Sequence, residues 1–484
     1  VIPAEPRDLV AGEWAPVDGV LDLVLEDPAT GAELRPAAVS GGARAERALA
    51  AADPRWGETP DAERAEVLDA VAAALEAVTG TIAELESRAT GVPIRQTAPL
   101  GAIVSGSFRL AAGRLRAGAL TERPGPGVEV RRLPWGPALC LVPWNAPAPM
   151  AAHKVASALA AGCPVILKPS EYAPYGTQLL AETVDAVLAE RGAPRGTFQF
   201  LHGDGRLGAR LTADPRVRAV SFTGGTAGGT AVAAACAAGL KPAQLELGGN
   251  NPLVVMPDAD PDRAARAAVD LLTTLNGQWC RALGRLVVPA GLADEVHAAA
   301  EARLGALRAG PPLDDGTDLG PLVHSRHRAL VAARRDALGG RITMATAVPE
   351  EGNYLSPALV RGVPPERAAE EIFGPVATVH PYATVEEAVA LANGTGHGLE
   401  GYVVGSDEDA ALAVARRIRA GEVKVNGSSV MSLHLFAPRP AWGLSGLGEE
   451  GTVETLRFFT GARVVGVENR FALHSREPYS REPS

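Results

Sequence analysis

One cysteine and one carboxylate carry the chemistry this chain offers. Cys280 lies in Asn276-Gly-Gln-Trp-Cys-Arg-Ala-Leu-Gly-Arg285, among small and polar residues, after an apolar helical run and just before a strand-like stretch at 286–289. A structural thiol belongs inside an apolar run, and Cys140, Cys163 and Cys236 read that way. For Cys280, a packed thiol and a nucleophile are both open on its surroundings alone. Upstream by 34 residues, Gln244-Leu-Glu-Leu-Gly-Gly-Asn-Asn-Pro252 sets Glu246 at the lip of a glycine turn. A thiol attacks carbon and a carboxylate activates water, so the pair suits covalent catalysis with a hydrolytic second step.

Alternating strands and helices must position both groups. Helical spacing of Ala, Leu, Glu and Arg predicts helices over 43–53, 61–89 and 96–118. Strands are expected at 139–142, 165–167, 198–201 and 219–222, followed by helices at 148–161, 176–191, 206–212 and 229–238. A second series places strands at 253–256, 286–289, 376–379, 402–404 and 423–425. This alternation predicts an α/β protein with parallel, doubly wound sheets. The stretch 127–134 alternates like an exposed hairpin strand, and 463–467 reads as a strand able to pair with a neighbouring edge.

Bulk properties bound the function. A chain of 484 residues exceeds one core and predicts about two or three domains. Its 46 basic and 56 acidic residues give a net charge of −10, which argues against a nucleic-acid or anionic-membrane surface. No apolar run of about 18 residues is present, and the first residues lack a secretory pattern. Four cysteines without a Cys-x-x-Cys pair favour a reducing, cytoplasmic setting.

Further motifs fall at strand ends, where ligands of open α/β sheets bind. In Pro143-Trp-Asn-Ala-Pro147, the Asn145 amide suits an oxyanion, or caps the next helix. In Leu167-Lys-Pro-Ser-Glu171, Lys168 and Glu171 suit nucleotide sugar hydroxyls, or form a solvated pair. Thr223-Gly-Gly-Thr-Ala-Gly-Gly229 offers helix-terminal amides to a pyrophosphate, without Gly-x-Gly-x-x-Gly spacing. Glu370-Glu-Ile-Phe-Gly-Pro-Val376 sets carboxylates beside an aromatic ring and a turn. P-loop, zincin and hydrolase-elbow patterns are absent, and no metal site is expected.

Taken together and in this order, these motifs resemble the NAD(P)-dependent aldehyde dehydrogenase superfamily, from Asp27-Pro-Ala-Thr-Gly31 to about residue 465. The resemblance implies a Rossmann-type cofactor domain (1–113 and 136–247), an α/β catalytic domain (248–438), a small β oligomerisation element (114–135 and 439–470) and a polar tail (471–484). It implies NAD-dependent oxidation of an aldehyde to an acid through a hemithioacetal and a thioester on Cys280. Glu246 would activate the hydrolytic water, Asn145 and the Cys280 N–H would form the oxyanion hole, and Lys154 would aid proton relay. The cofactor would meet Val142, Pro143, Trp144, Lys168, Ser170, Glu171, Gly205, Thr223, Gly224, Gly225, Leu247, Glu371 and Phe373. Within that set, Glu171 would repel a 2′-phosphate, favouring NAD over NADP. The substrate wall would comprise Ala146, Met150, His153, Trp279, Arg281, His434 and Arg439. Small Ala146 and the cationic groups suggest a polar, carboxylated or heteroaromatic aldehyde, unless Arg281 and Arg439 point into solvent. A homodimer or homotetramer is implied through the hairpin near 114–135.

Three departures from the family pattern stand out: Asn250 after Glu-Leu-Gly-Gly, Gly225 where Ser is frequent, and Arg439 in place of a substrate-wall aromatic. Two other functions compete with the leading one. A CoA-acylating semialdehyde dehydrogenase would not need Glu246, and a non-catalytic binding protein of the same fold would not need Cys280, Glu246 and Asn145.

Overall fold

The structure, a computed structural model, describes residues 5–467. The tail expected over 471–484 lies outside the described residues. Five parallel strands form the centre of an eight-stranded sheet. In space they run Phe198–Phe200, Val165–Lys168, Ala138–Leu141, Ala219–Thr223 and Ala243–Glu246. Ala138–Leu141 and Val165–Lys168 are buried at every position, the environment that continuous apolar runs such as Ala-Leu-Cys-Leu require. Between them runs helix Pro147–Ala161, Ala-rich and buried nearly all round, closed by Gly162 at φ 90°.

The sheet reverses direction between Ala138–Leu141 and Ala219–Thr223. Earlier crossovers build outward on one side and later ones on the other, leaving a crevice at the carboxyl ends. A second sheet of seven strands is parallel except for its edge Arg341–Thr343. At its middle, Asn251–Val255 lies between Leu283–Pro289 and Glu400–Val404. The chain passes from one sheet to the other through only Leu247, Gly248, Gly249 and Asn250. Glu246 ends a strand of the first sheet, and Cys280 precedes a strand of the second.

Some elements differ from sequence expectation. The helix expected over 61–89 is two, Asp61–Glu76 and Thr79–Thr90. Val78 at φ −115°, ψ 0° breaks the helix, and Thr79 Oγ1 turns back to Glu76 O at 3.0 Å. The helix expected from 229 starts at Thr226, so Gly228 and Gly229 are helical rather than turn residues. A Cβ on Gly229 would collide with Leu247, so this glycine serves close helix–strand packing. The amino-terminal strands Arg7–Val10, Glu13–Pro16, Gly19–Glu26 and Glu33–Val39 had no counterpart in the sequence reading.

The expected hairpin is present. Thr121–Gly125 and Val128–Pro134 pair with each other, and Thr460–Gly466 pairs with the second strand from Thr460↔Pro134 to Gly466↔Val128. The strand read at 463–467 thus finds its partner within the same chain. Residues 439–450, grouped by sequence with that hairpin, run elsewhere: Gly446–Leu447 adds antiparallel to Ala243–Glu246 of the large sheet. Among the described residues, no helix is long and apolar enough to cross a membrane.

Gly91 ends helix Thr79–Thr90 at φ 77°, where a Cβ would collide with Pro321 O. Gly91→Ala combines a left-handed backbone with a backbone clash, and is expected to cost about 3 kcal/mol. A denaturant titration checks this; an unchanged midpoint would contradict the packing.

Candidate active site

The residues that follow the two strands at the reversal face one cavity of about 530 Å³. Its lining includes Asn145, Thr223–Gly225 (223–225), Glu246 and Cys280. The two-glycine crossing makes this convergence possible. A Cβ on Gly248 would overlap the Glu371 carboxylate, and one on Gly249 would stand 2.6 Å from Cys280 O. Only glycine permits the crossing backbone to lie against both. Asn251, the next residue but one, donates from Nδ2 to Cys280 O at 2.9 Å and Ala282 O at 2.8 Å.

The loop before the thiol is held in an uncommon backbone. Leu275, Asn276 and Gly277 have φ of 50°, 58° and 73°. Left-handed Leu costs energy that neighbours must supply. Asn276 Nδ2 donates to Gly91 O and Pro321 O, both at 2.9 Å, and its Oδ1 accepts from Gly320 N at 2.9 Å. Gln278 Oε1 accepts from Val323 N at 2.9 Å. Tyr402 Oη donates to Arg281 O at 2.8 Å. These residues, whose roles sequence reasoning missed, fix the position of Cys280. Their signal was the clustering of amides around the cysteine. Asn145 Nδ2 donates to Gln278 O at 2.9 Å. A carboxamide has two N–H groups, so one remains for an oxyanion. Behind Asn145, buried Glu86 accepts from Ala148 N at 2.9 Å and is pushed up to about 8 by burial.

Burial dominates the electrostatics. It pushes the Cys280 thiol up to about 12, with Arg281 pulling the other way. Burial, reinforced by Glu450, raises Glu246 to about 7, opposed by Arg281, Arg439 and Lys154. Lys154 Nζ lies 3.0 Å from Glu450 Oε1 and donates to Ser221 Oγ at 2.8 Å. Burial opposes charge on Glu450, but Lys154, His153 and Arg439 outweigh it and hold this carboxyl far below the ordinary range. Glu450 had not been singled out from sequence, because its partner Lys154 is 296 residues away.

Of the residues expected around a cofactor, Pro143, Trp144, Thr223, Gly224, Gly225, Leu247, Glu371 and Phe373 line the cavity. Thr223 Oγ1 is buried without a partner, and helix Thr226–Ala238 opens at Gly225 with no side chain on its first amides. Uncapped amides and an orphan hydroxyl on the cavity wall fit an anionic, hydroxyl-rich group. A Cβ at Gly225 would meet open space, so the missing serine hydroxyl leaves room there. Glu371 accepts from Gly249 N at 2.8 Å and is raised to about 8 by burial. Phe373, at φ 47°, presents its carbonyl to His327 Nε2 at 2.9 Å, and Trp144 stands edge-on to both rings. His327 is a further cavity residue that the sequence reading missed. Val142, Lys168, Ser170, Glu171 and Gly205 do not line this cavity. Lys168 Nζ donates to Pro169 O at 2.8 Å and Gly203 O at 2.5 Å, and Gly205 is exposed.

Among the expected wall residues, Ala146, Met150, Trp279, Arg281 and Arg439 line the cavity. His153 bonds Thr455 Oγ1 at 3.0 Å instead, and His434 is exposed with Nδ1 accepting from Phe436 N. Neither arginine projects freely into solvent. Arg281 is buried against carboxylates, and Arg439 lies 3.3 Å from Glu450 Oε2.

The chain matches the model of the aldehyde dehydrogenase family over residues 14–465. It is 36% identical over 459 residues to a 3-succinoylsemialdehyde-pyridine dehydrogenase of Pseudomonas sp., covering 91% of this chain and 94% of that one. It is 33% identical to a succinate-semialdehyde dehydrogenase of Paenarthrobacter nicotinovorans, covering 88% and 96%. A crystal structure of mutant aldehyde dehydrogenase C from Pseudomonas syringae, complexed with NAD+ and octanal, superposes with a TM-score of 0.89 at 30% identity, covering 95% and 96%.

Cys140, Cys163 and Cys236 are buried, whereas Cys280 is partly accessible. Iodoacetamide is therefore expected to modify Cys280 alone in the native protein, as peptide mass spectrometry would show. The labelling rate should climb with pH without levelling near the ordinary thiol value of about 8.5. Labelling of a buried cysteine first would refute the assignment.

Proposed function

This chain belongs to the aldehyde dehydrogenase family, and on that premise we propose an NAD-dependent enzyme that oxidises an aldehyde to a carboxylic acid with Cys280 as nucleophile and Glu246 as hydrolytic base. The convergence of Cys280, Glu246 and Asn145 on one cavity carries this reading. Cys280 Sγ bonds to the aldehyde carbon as the thiol proton passes to solvent water. Asn145 Nδ2 and the Cys280 N–H donate to the resulting oxyanion. Bound NAD+ supplies the hydride acceptor for the oxidation. Water then adds to the thioester carbonyl while Glu246 takes its proton. The C–S bond breaks, the acid leaves and the thiol is restored. Glu246 returns that proton to the departing sulfur.

Thr223, Gly225 and the helix they open would receive the pyrophosphate, and Glu371 the ribose near the reacting carbon. Lys168 and Glu171 would meet the adenosine ribose, where Glu171 disfavours a 2′-phosphate and so selects NAD over NADP. We assign residues 1–113 and 136–247 to cofactor binding and 248–438 to catalysis. Exposed Val464 and Val465 on the hairpin sheet, with exposed Val467 just beyond it, support a homodimer or homotetramer. The low cysteine count supports a cytoplasmic setting.

Lys154 and Arg439 share Glu450, a formal excess of one positive charge, with Arg439 on the cavity wall and Lys154 fully buried. That excess supports a substrate with a carboxylate or another polar acceptor. The semialdehydes in the names of two relatives agree with it.

Purified protein is expected to form NADH from an aldehyde panel that includes octanal and succinate semialdehyde, and Cys280→Ala to abolish it. Hydrolysis needs ionised Glu246, so turnover limited by that step should fall tenfold per unit as pH drops below about 7. No NADH from any aldehyde, with NAD bound, would contradict the proposal. Arg439→Ala should lower kcat/KM for succinate semialdehyde at least about tenfold and leave octanal nearly unaffected. Equal losses would remove the carboxylate preference.

A further inference from the structure

The residue after the nucleophile is an arginine on the cavity wall whose guanidinium is taken up by carboxylates. Arg281 Nη2 lies 3.2 Å from Glu246 Oε1, Nη1 meets Glu400 Oε2, and Glu422 Oε2 follows at 3.7 Å. Lys424 closes the far side, with Nζ 2.7 Å from Glu400 Oε1 and 4.0 Å from Glu422 Oε2. Every member is almost fully buried. A buried cluster of this kind must be nearly balanced to exist. Without Glu246 it is balanced, since Arg281 and Lys424 offset Glu400 and Glu422. Glu246 is therefore a third carboxylate attached to an already neutral set.

That arithmetic separates two roles for Arg281. Were its charge free, it would hold Glu246 strongly ionised and so a weak base. Because Glu400 and Glu422 offset part of it, the guanidinium lowers Glu246 only moderately while its N–H supplies direction. One of its N–H groups occupies one carboxylate oxygen of Glu246, and among the described residues no side chain bonds the other. The guanidinium cannot drift, because Glu400 is fixed at its backbone by Asn251 Oδ1 at 3.1 Å and Arg281 at its carbonyl by Tyr402.

We propose that Arg281 is the positioning residue of the hydrolytic base: anchored on Glu400 and Glu422, it holds Glu246 Oε1 and leaves Oε2 to take the proton of the attacking water. This rests on the reading of Glu246 as that base. It replaces the expectation that Arg281 contacts substrate. The other groups that face Glu246 are Cys280, Glu450, Arg439 and Lys154.

Two readouts test it. In Arg281→Gln, single-turnover NADH formation should persist, while turnover falls about 10- to 100-fold and an acyl adduct on Cys280 accumulates in intact mass spectra. The second readout needs no substrate. The carboxyl infrared band that Glu246→Gln removes should titrate about one pH unit higher in Arg281→Gln. Arg281→Lys should restore the midpoint and not the turnover, because an ammonium cannot reproduce the fork. If Arg281→Gln fails to fold with Glu400 left unpaired, Arg281→Gln/Glu400→Gln keeps the balance and carries the same readouts. An unmoved band, full rescue by lysine, or a change confined to the aldehyde KM would overturn the proposal. Loss of NADH formation by wild-type protein would instead defeat the parent reading and leave the infrared result to judge Arg281.

Discussion

Two sheets that share a chain must be joined by a segment able to lie against both, and here only four residues do so. Gly248 and Gly249 give the backbone the space that any side chain would fill with Glu371 or the Cys280 carbonyl. Everything at the site depends on that closeness. It brings the carboxyl end of one sheet to the loop that opens a strand of the other. The carboxylate proposed as base arrives on the incoming strand, and the thiol proposed as nucleophile returns on the loop before the neighbouring strand. A longer link would separate the two groups into different solvent environments, and neither alone performs both half-reactions.

Closeness brings burial, and burial works against ions. The site meets this with two separate charge groups. Lys154, Arg439 and Glu450 form one with excess positive charge, and Arg281, Lys424, Glu400 and Glu422 form one that balances. Glu246 lies between them, repelled by Glu450 and attracted by Arg281. Its ionisation near neutrality follows from burial and Glu450 opposing cations that other carboxylates share. A base of that strength can both take a proton and release it at the same pH. Cys280 is placed differently: rigid amides fix its backbone, and its thiol is kept protonated by burial.

Much of this was legible in the sequence where chemistry and neighbours are contiguous. Cys280, Glu246 and Asn145 each sit in short motifs, and the strand–helix alternation placed the motifs at strand ends. Ion pairs between distant positions were not legible. Arg281 reads as a wall residue from its motif, because nothing local discloses Glu400, which is 119 residues away. The break at Val78 was masked for a different reason: the weak helix formers Val78-Thr-Gly-Thr81 are flanked on both sides by Ala- and Glu-rich helical spacing. Gly228 and Gly229 misled in the opposite sense, since glycines needed for close packing resemble glycines needed for a turn.

The return of residues 446–450 to the first sheet also bears on how the chain comes into being. Lys154 leaves the ribosome nearly three hundred residues ahead of the carboxylate that neutralises it. Through that interval strand Ala243–Glu246 has no Gly446–Leu447 to cover its edge. The nascent protein thus carries an unmatched interior ammonium and an open strand edge, both features that invite wrong partners. The first sheet is therefore completed only after the strands of the second have been made.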